Sequence, residues 1–231
     1  MRVHLCVAVI SLVSRLLGGA VAEAAPPDSM PGGAAVAEDA AVVIDTPHVL
    51  DIARARVTVR VYSSTKLAAD AQRASLDVAK ATFAAASVQI VWKVCWQVAC
   101  DTPMSPTELS VRLVELPDGG RHGDHRLGEA LIDPKMRTGV LATAYVNRTL
   151  RLARDLDIDH YKLLGRTVAH EIGHLLLATN AHAASGLMRE VWSRDELLRT
   201  RRDDWILHPF DAAAILRRLA SSRPDLPRQT S

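Results

Sequence analysis

The segment Thr167-Val168-Ala169-His170-Glu171-Ile172-Gly173-His174-Leu175-Leu176-Leu177 gathers the residue types most able to do chemistry. His170 and His174 are four apart. On a helix that spacing puts both imidazoles on one face, where they can grip one metal ion. Glu171 sits about a quarter-turn round from His170, off the metal but near its open position, where it can take a proton from water. Leu164, Val168, Ile172, Leu175 and Leu176 make an apolar stripe that would bury this helix against a sheet, with the two histidines at its border. The plainer alternative is a buried helix carrying two hydrogen-bonded histidines.

A catalytic zinc site of this kind takes a third protein ligand and leaves a fourth position for water. Here the sequence resembles the metzincin group of zinc peptidases, whose motif continues His-x-x-Gly-x-x-His. The chain departs from that pattern: Leu177 stands where the glycine would be and Asn180 where the third histidine would be. The next histidine is His182. With no glycine at 177, the helix is expected to run on through Ala178 or Thr179, with Asn180 taking the left-handed conformation that ends helices. His182 then arrives two residues later, pointing at the metal, as the expected third ligand. Glu190 and Glu196 are rivals, because a Glu on a later helix completes the site in gluzincins. Glu196 already has a place in a Ser193-x-x-Glu196 capping box, and Glu190 falls just after Gly186-Leu187-Met188. Metzincins set a Met in a tight turn beneath the metal; Met188 is similar to that residue, or else is an ordinary core Met.

The run from His170 through His182 to Gly186-Leu187-Met188-Arg189 resembles bacterial predicted zinc peptidases. The resemblance covers residues 57 to 220 in element order, although its specific motifs are confined to the stretch just described. It implies a zincin-like α+β fold: a mixed twisted sheet packed on a long first helix and an active-site helix, with a small helical C-terminal part. It also implies Zn2+ as cofactor, a peptide or protein substrate, and Glu171 as the general base that passes the proton on to the leaving amine. By the same resemblance, the strand over 128–132 would be a sheet edge that aligns an extended peptide. No Tyr follows Met188, and no residue beyond the metal itself suggests itself for oxyanion stabilisation. A rival reading from another class is a zinc-stabilised binding module that does not turn over peptides; Glu171 speaks against it, because a structural site has no need of a base.

Other polar residues carry less. His122 and His125 flank Gly123-Asp124 in what must be a loop, which could bind a second metal but reads more simply as solvated. Asp157, Asp159 and His160 precede the motif helix, and one of these acids could orient a ligand imidazole. Asn147-Arg148-Thr149 matches a glycosylation sequon to which we attach no role.

The elements that must position the motif follow from periodicity. Val57-Thr58-Val59-Arg60-Val61-Tyr62 alternates as a strand, and Ser63-Ser64-Thr65 can cap a helix over 66–86. Strands are expected over 88–94, 109–116, 128–132 and 139–146. A helix follows Asn147, the motif helix begins near Asp159, and Pro209 suits the first turn of a final helix ending near Leu219. The leader at 25–55 is rich in Ala, Pro and Gly, and the tail at 222–231 is polar. The catalytic domain is therefore expected over 56–221.

At 231 residues, 48% hydrophobic and 23% charged, the chain can bury one medium core. A net charge of +2 and only 4% aromatic residues argue against a nucleic-acid partner. Arg2, the apolar run over 5–13 and Ala22-Glu23-Ala24 read as an export signal spanning 1–24, although Arg15 interrupts it. The run falls short of the ~20 residues needed to span a bilayer, so no stable membrane insertion is expected after cleavage. The expected location is secreted or periplasmic. Cys6 leaves with the signal, and Cys95 and Cys100 are then expected to form a disulfide around a small surface loop.

Overall fold

The computed structural model describes residues 4–5, 55–96, 98–116, 126–133, 135–199 and 201–222. The strands are β1 (His4–Leu5), β2 (Ala55–Ser63), β3 (Val88–Val94), β4 (Leu109–Val114), β5 (Gly128–Asp133) and β6 (Thr138–Tyr145). The helices are α1 (Ala69–Ala84), α2 (Val146–Asp155), α3 (His160–Leu177), α4 (Arg194–Leu198) and α5 (Pro209–Ser221), with a short 3-10 turn at Arg202–Trp205 before α5. The chain is a mixed α+β protein, as expected.

The strands make one sheet in the order β1-β5-β6-β4-β2-β3. β2 pairs in parallel with β3 and β4, and β4 in parallel with β6, whereas β5 runs antiparallel to β6. The outer edge of β5 takes the antiparallel partner β1, with His4 opposite Ile132 and Leu5 opposite Leu131. The rest of the expected 1–24 signal, the 25–55 leader apart from Ala55, and the tail beyond Ser222 lie outside the described residues.

Alternation decides which face of the sheet is covered. Val57, Val59 and Val61 of β2, with Val111 and Leu113 of β4 and Ala142 and Ala144 of β6, are buried. They meet Leu76, Ala79 and Phe83 of α1 and Leu164, Val168 and Ile172 of α3 in one apolar core. α1 packs on β3 and α3 on β5 and β6, and the two helices pack on each other. Gly165 allows that last approach, since a Cβ there would overlap the Ser75 carbonyl and Val78 of α1.

On the opposite face Arg60 is also buried, and it is fully engaged. Its guanidinium donates to Glu108 Oε2 (2.9 Å) and to the carbonyls of Cys100 (3.3 Å), Thr102 (2.6 Å) and Pro103 (3.0 Å). Five donors in a rigid fork suit such a set of acceptors. They tie the segment between β3 and β4 to the sheet, and the disulfide Cys95–Cys100 closes the start of that segment as predicted. No helix among the described residues is long and apolar enough to cross a membrane.

Several local expectations need correction. The first helix begins at Ala69, not Lys66, and Ala68 at its N-cap provides no side-chain bond. Thr65 instead turns back on the chain, its Oγ1 accepting from the Leu67 N–H (3.4 Å), so the Ser63-Ser64-Thr65 run makes a turn before the helix. By contrast, Asp159 caps α3 by accepting from the Tyr161 and Lys162 amides. The Ser193–Glu196 box and Pro209 in the first turn of α5 are present as expected.

Candidate metal centre

His170, Glu171 and His174 lie on α3 where it is most deeply buried, each with 1% exposure or less. The helix stops sooner than expected. Ala178, not Asn180, takes the left-handed conformation (φ 49°), and the amides of Ala178 and Thr179 return to the carbonyls of Leu175 and His174. An alanine accepts this at a modest steric cost because the turn is held from both sides: the Thr179 carbonyl accepts from His174 Nδ1 at 2.9 Å. The chain then doubles back, and His182 arrives beside the pair.

The ring of His182 lies 5.6 Å from that of His170 and 4.9 Å from that of His174, centroid to centroid. One ligand-capable nitrogen from each of the three histidines falls within 4.8 Å of the other two. His182 is thus brought together with His170 and His174, while Glu190 and Glu196 are not part of this cluster. Glu196 is engaged in its capping box and paired with Arg189. Loop residues 117–125, with His122 and His125, lie outside the described residues.

The hydrogen bonds at the back of the site fix what its front presents. His170 Nδ1 meets the Leu187 carbonyl at 2.8 Å and His174 Nδ1 meets that of Thr179 at 2.9 Å. A carbonyl only accepts, so in both rings Nδ1 carries the hydrogen and, when neutral, Nε2 carries a lone pair. Yet the two Nε2 atoms face each other at 2.9 Å. Two lone pairs at that separation repel unless a proton or another cation is shared between them. A proton is a poor solution here. Burial, with the neighbouring imidazoles adding to it, pushes the pKa of His170 down to about 3 and that of His174 to about 4. The three-histidine group could instead hold a metal ion.

Carbonyls therefore orient the His170 and His174 imidazoles, and Asp159, one of the acids considered for that task, caps the helix instead. Sequence reasoning could not have found these carbonyls, since every residue has one.

The Glu171 side chain reaches the start of β5. Neither of its carboxylate oxygens has a hydrogen-bond partner among the described residues. Gly128 makes the room, because a Cβ there would sit 2.7 Å from Glu171 Oε1. Burial holds the Glu171 carboxyl well above the usual carboxylate range, and the negative charge of Glu129 adds to this while Arg126 opposes it. A buried carboxyl with no partner among the described residues is a candidate for chemistry.

Met188 is fully buried against Gly173, the glycine between the two motif histidines. Its loop is clipped at several points: the Ala183 amide donates to the Met188 carbonyl (2.9 Å) and the Leu187 amide to that of Ile206 (2.8 Å). Gly186 permits the turn with φ 76° where a Cβ would crowd the Ile206 carbonyl. Met188 is therefore the floor under the helix face that bears the histidines.

Fold and site together define a mixed α+β protein with a buried three-histidine group able to hold a metal ion. No family model matches the sequence, and comparison with curated proteins returns no match.

Proposed function

We propose that this chain is an exported zinc-dependent peptidase of the metzincin-like zincin type. The observation that carries the reading is the pairing of two features on α3: opposed Nε2 atoms that call for a cation, and an adjacent buried carboxylate with no partner of its own. His170, His174 and His182 would hold the ion. Three neutral imidazoles fit Zn2+, which would leave a position open to water, lower that water's pKa and polarise a substrate carbonyl.

Glu171 would accept the proton of the attacking water at a carboxylate oxygen and deliver it to the leaving amine. A carboxylate beside the ion can serve as base for the water and then as acid for the leaving group. β5 is not the free sheet edge expected, because His4–Leu5 of β1 pair along its outer side. Once export removes that segment, this edge, whose first residue abuts Glu171, would be open to align an extended peptide. The disulfide Cys95–Cys100 is in keeping with an oxidising compartment.

The test is zinc content of the wild type beside His182→Ala and Glu171→Ala, with hydrolysis of a mixed peptide library on the same samples. The reading requires that His182→Ala lose metal while Glu171→Ala keep metal and lose cleavage. Normal zinc in His182→Ala would remove the third ligand. Zinc without cleavage in the wild type would favour a zinc-stabilised binding module.

A further inference from the structure

Trp192 has no part in the sequence motif, yet it closes the back of the metal site. Its side chain is 1% exposed and meets the His170 ring edge to face, with centroids 5.6 Å apart and planes at 89°. Its Nε1–H donates to the Leu187 carbonyl at 3.4 Å, the same oxygen that accepts from His170 Nδ1 at 2.8 Å. A carbonyl oxygen has two lone pairs and so serves both donors. Behind Trp192 stands Trp205, at 5.2 Å and 70°, and over Trp205 lies the Arg166 guanidinium, 3.7 Å from the ring centre. Arg166 is one turn before His170 on α3. The two indoles thus grip the helix at positions 166 and 170 together.

We propose that Trp192 is a positioning residue for His170: its ring blocks the space into which the imidazole would turn, and its N–H fixes the carbonyl that selects the Nδ1–H tautomer. The inference deepens the zinc reading of this site, but its primary consequence exists in the metal-free protein. With Trp192 in place, His170 can present only Nε2 to His174 and His182. Without it, the ring is free to rotate about Cβ–Cγ and lose the Leu187 bond. Partners that orient ligand histidines typically matter 10- to 100-fold in metal affinity.

The test uses the full chain with 15N-labelled histidine, freed of metal, in wild type, Trp192→Phe and Trp192→Leu. Long-range proton–nitrogen correlation reads the tautomer of His170, and titration with Zn2+ against a competing chelator reads affinity. The wild type should show His170 protonated at Nδ1 alone. Trp192→Leu should show a mixture of tautomers and bind Zn2+ about 10- to 100-fold more weakly. Trp192→Phe, which keeps a ring but no donor, should fall between the two in both readouts; if Trp192→Leu fails to fold, this variant decides alone. A wild-type His170 protonated at Nε2, or a pure Nδ1–H tautomer with unchanged Zn2+ affinity in Trp192→Phe, would overturn the inference. A wild type that binds no Zn2+ while the variants still shift the tautomer would uphold Trp192 and sink the peptidase reading instead.

Discussion

Gly173 and Met188 are in direct contact, and the contact exists because Gly173 has no side chain: a Cβ on it would overlap the Met188 sulfur. One residue lies between the two motif histidines and the other at the base of the loop that follows His182. The pair therefore locks the height of the helix over its floor. Both are in the close-packed interior, where an added methyl has nowhere to go. Gly173→Ala should lower stability by about 1–3 kcal/mol through overpacking. Met188→Ala should cost about 2–5 kcal/mol through the cavity it leaves. Combined, they should cost less than the sum, since each relieves the other, and chemical denaturation of the three variants checks this.

Gly128 and Glu171 form a second such pair, this one facing the proposed chemistry. In Gly128→Ala the new methyl meets Glu171 Oε1 at 2.7 Å and the Thr143 carbonyl at 2.8 Å, so the carboxylate must shift. Zinc content should stay at the wild-type level, because no histidine is touched. Hydrolysis should fall roughly 10- to 100-fold, the scale expected when a catalytic group is displaced by a fraction of an ångström or more. Parallel metal analysis and peptide assay would show it. Loss of zinc with retained cleavage is the opposite of what this geometry demands.

The Cys95–Cys100 disulfide belongs to the far end of the sheet, after β3, and so is insulated from the histidines. It closes a very short loop, for which the chain-entropy argument gives a stabilisation of about 2 kcal/mol. Replacing both cysteines with Ser should lower stability by about that amount and leave zinc binding intact. Arg60 keeps its bonds to Thr102, Pro103 and Glu108, so the loop should not come away altogether.

Glu108 makes a pH-dependent contribution whose sign is fixed by its partners. The backbone amide of Ser105 and the Arg60 guanidinium together hold its carboxyl below the ordinary 4.5, overcoming the burial that would raise it. A carboxylate with a depressed folded-state pKa adds stability that is present in full above 4.5 and lost as pH falls through the folded value. Wild type should therefore melt above Glu108→Gln at neutral pH, and the gap should close on acidification below 4.5. A gap that stays constant down to strongly acid pH would show that the ion pair contributes nothing.

How much of this could be read without coordinates depends on the range over which each feature is decided. His170, Glu171 and His174 were readable because a four-residue spacing on a helix is a local property, fixed by 3.6 residues per turn. The same holds for the start of α3 near Asp159, the Ser193–Glu196 box, Pro209 at the head of α5, and the alternation of β2. That His182 would join His170 and His174 was readable, but not its path. Asn180 is the better left-handed residue by intrinsic preference, and yet Ala178 takes that conformation, because the bond from His174 Nδ1 to the Thr179 carbonyl demands the turn there. This bond between residues only five apart outweighed single-residue propensity, which costs an alanine roughly 1–2 kcal/mol in that conformation. The same limit explains Gly128 and Trp192. A glycine 43 positions before its carboxylate, or an indole that shares a backbone oxygen with an imidazole 22 positions away, leaves no periodic mark in the sequence. The sequence by itself determined the helix that bears His170, Glu171 and His174 and the main strands, since these rest on spacing and side-chain type. Which carbonyls set the tautomers, which glycine gives Glu171 its room and which indole backs His170 were decided only when the sheet and α3 packed together, because packing alone brings residues distant in the chain within a few ångströms.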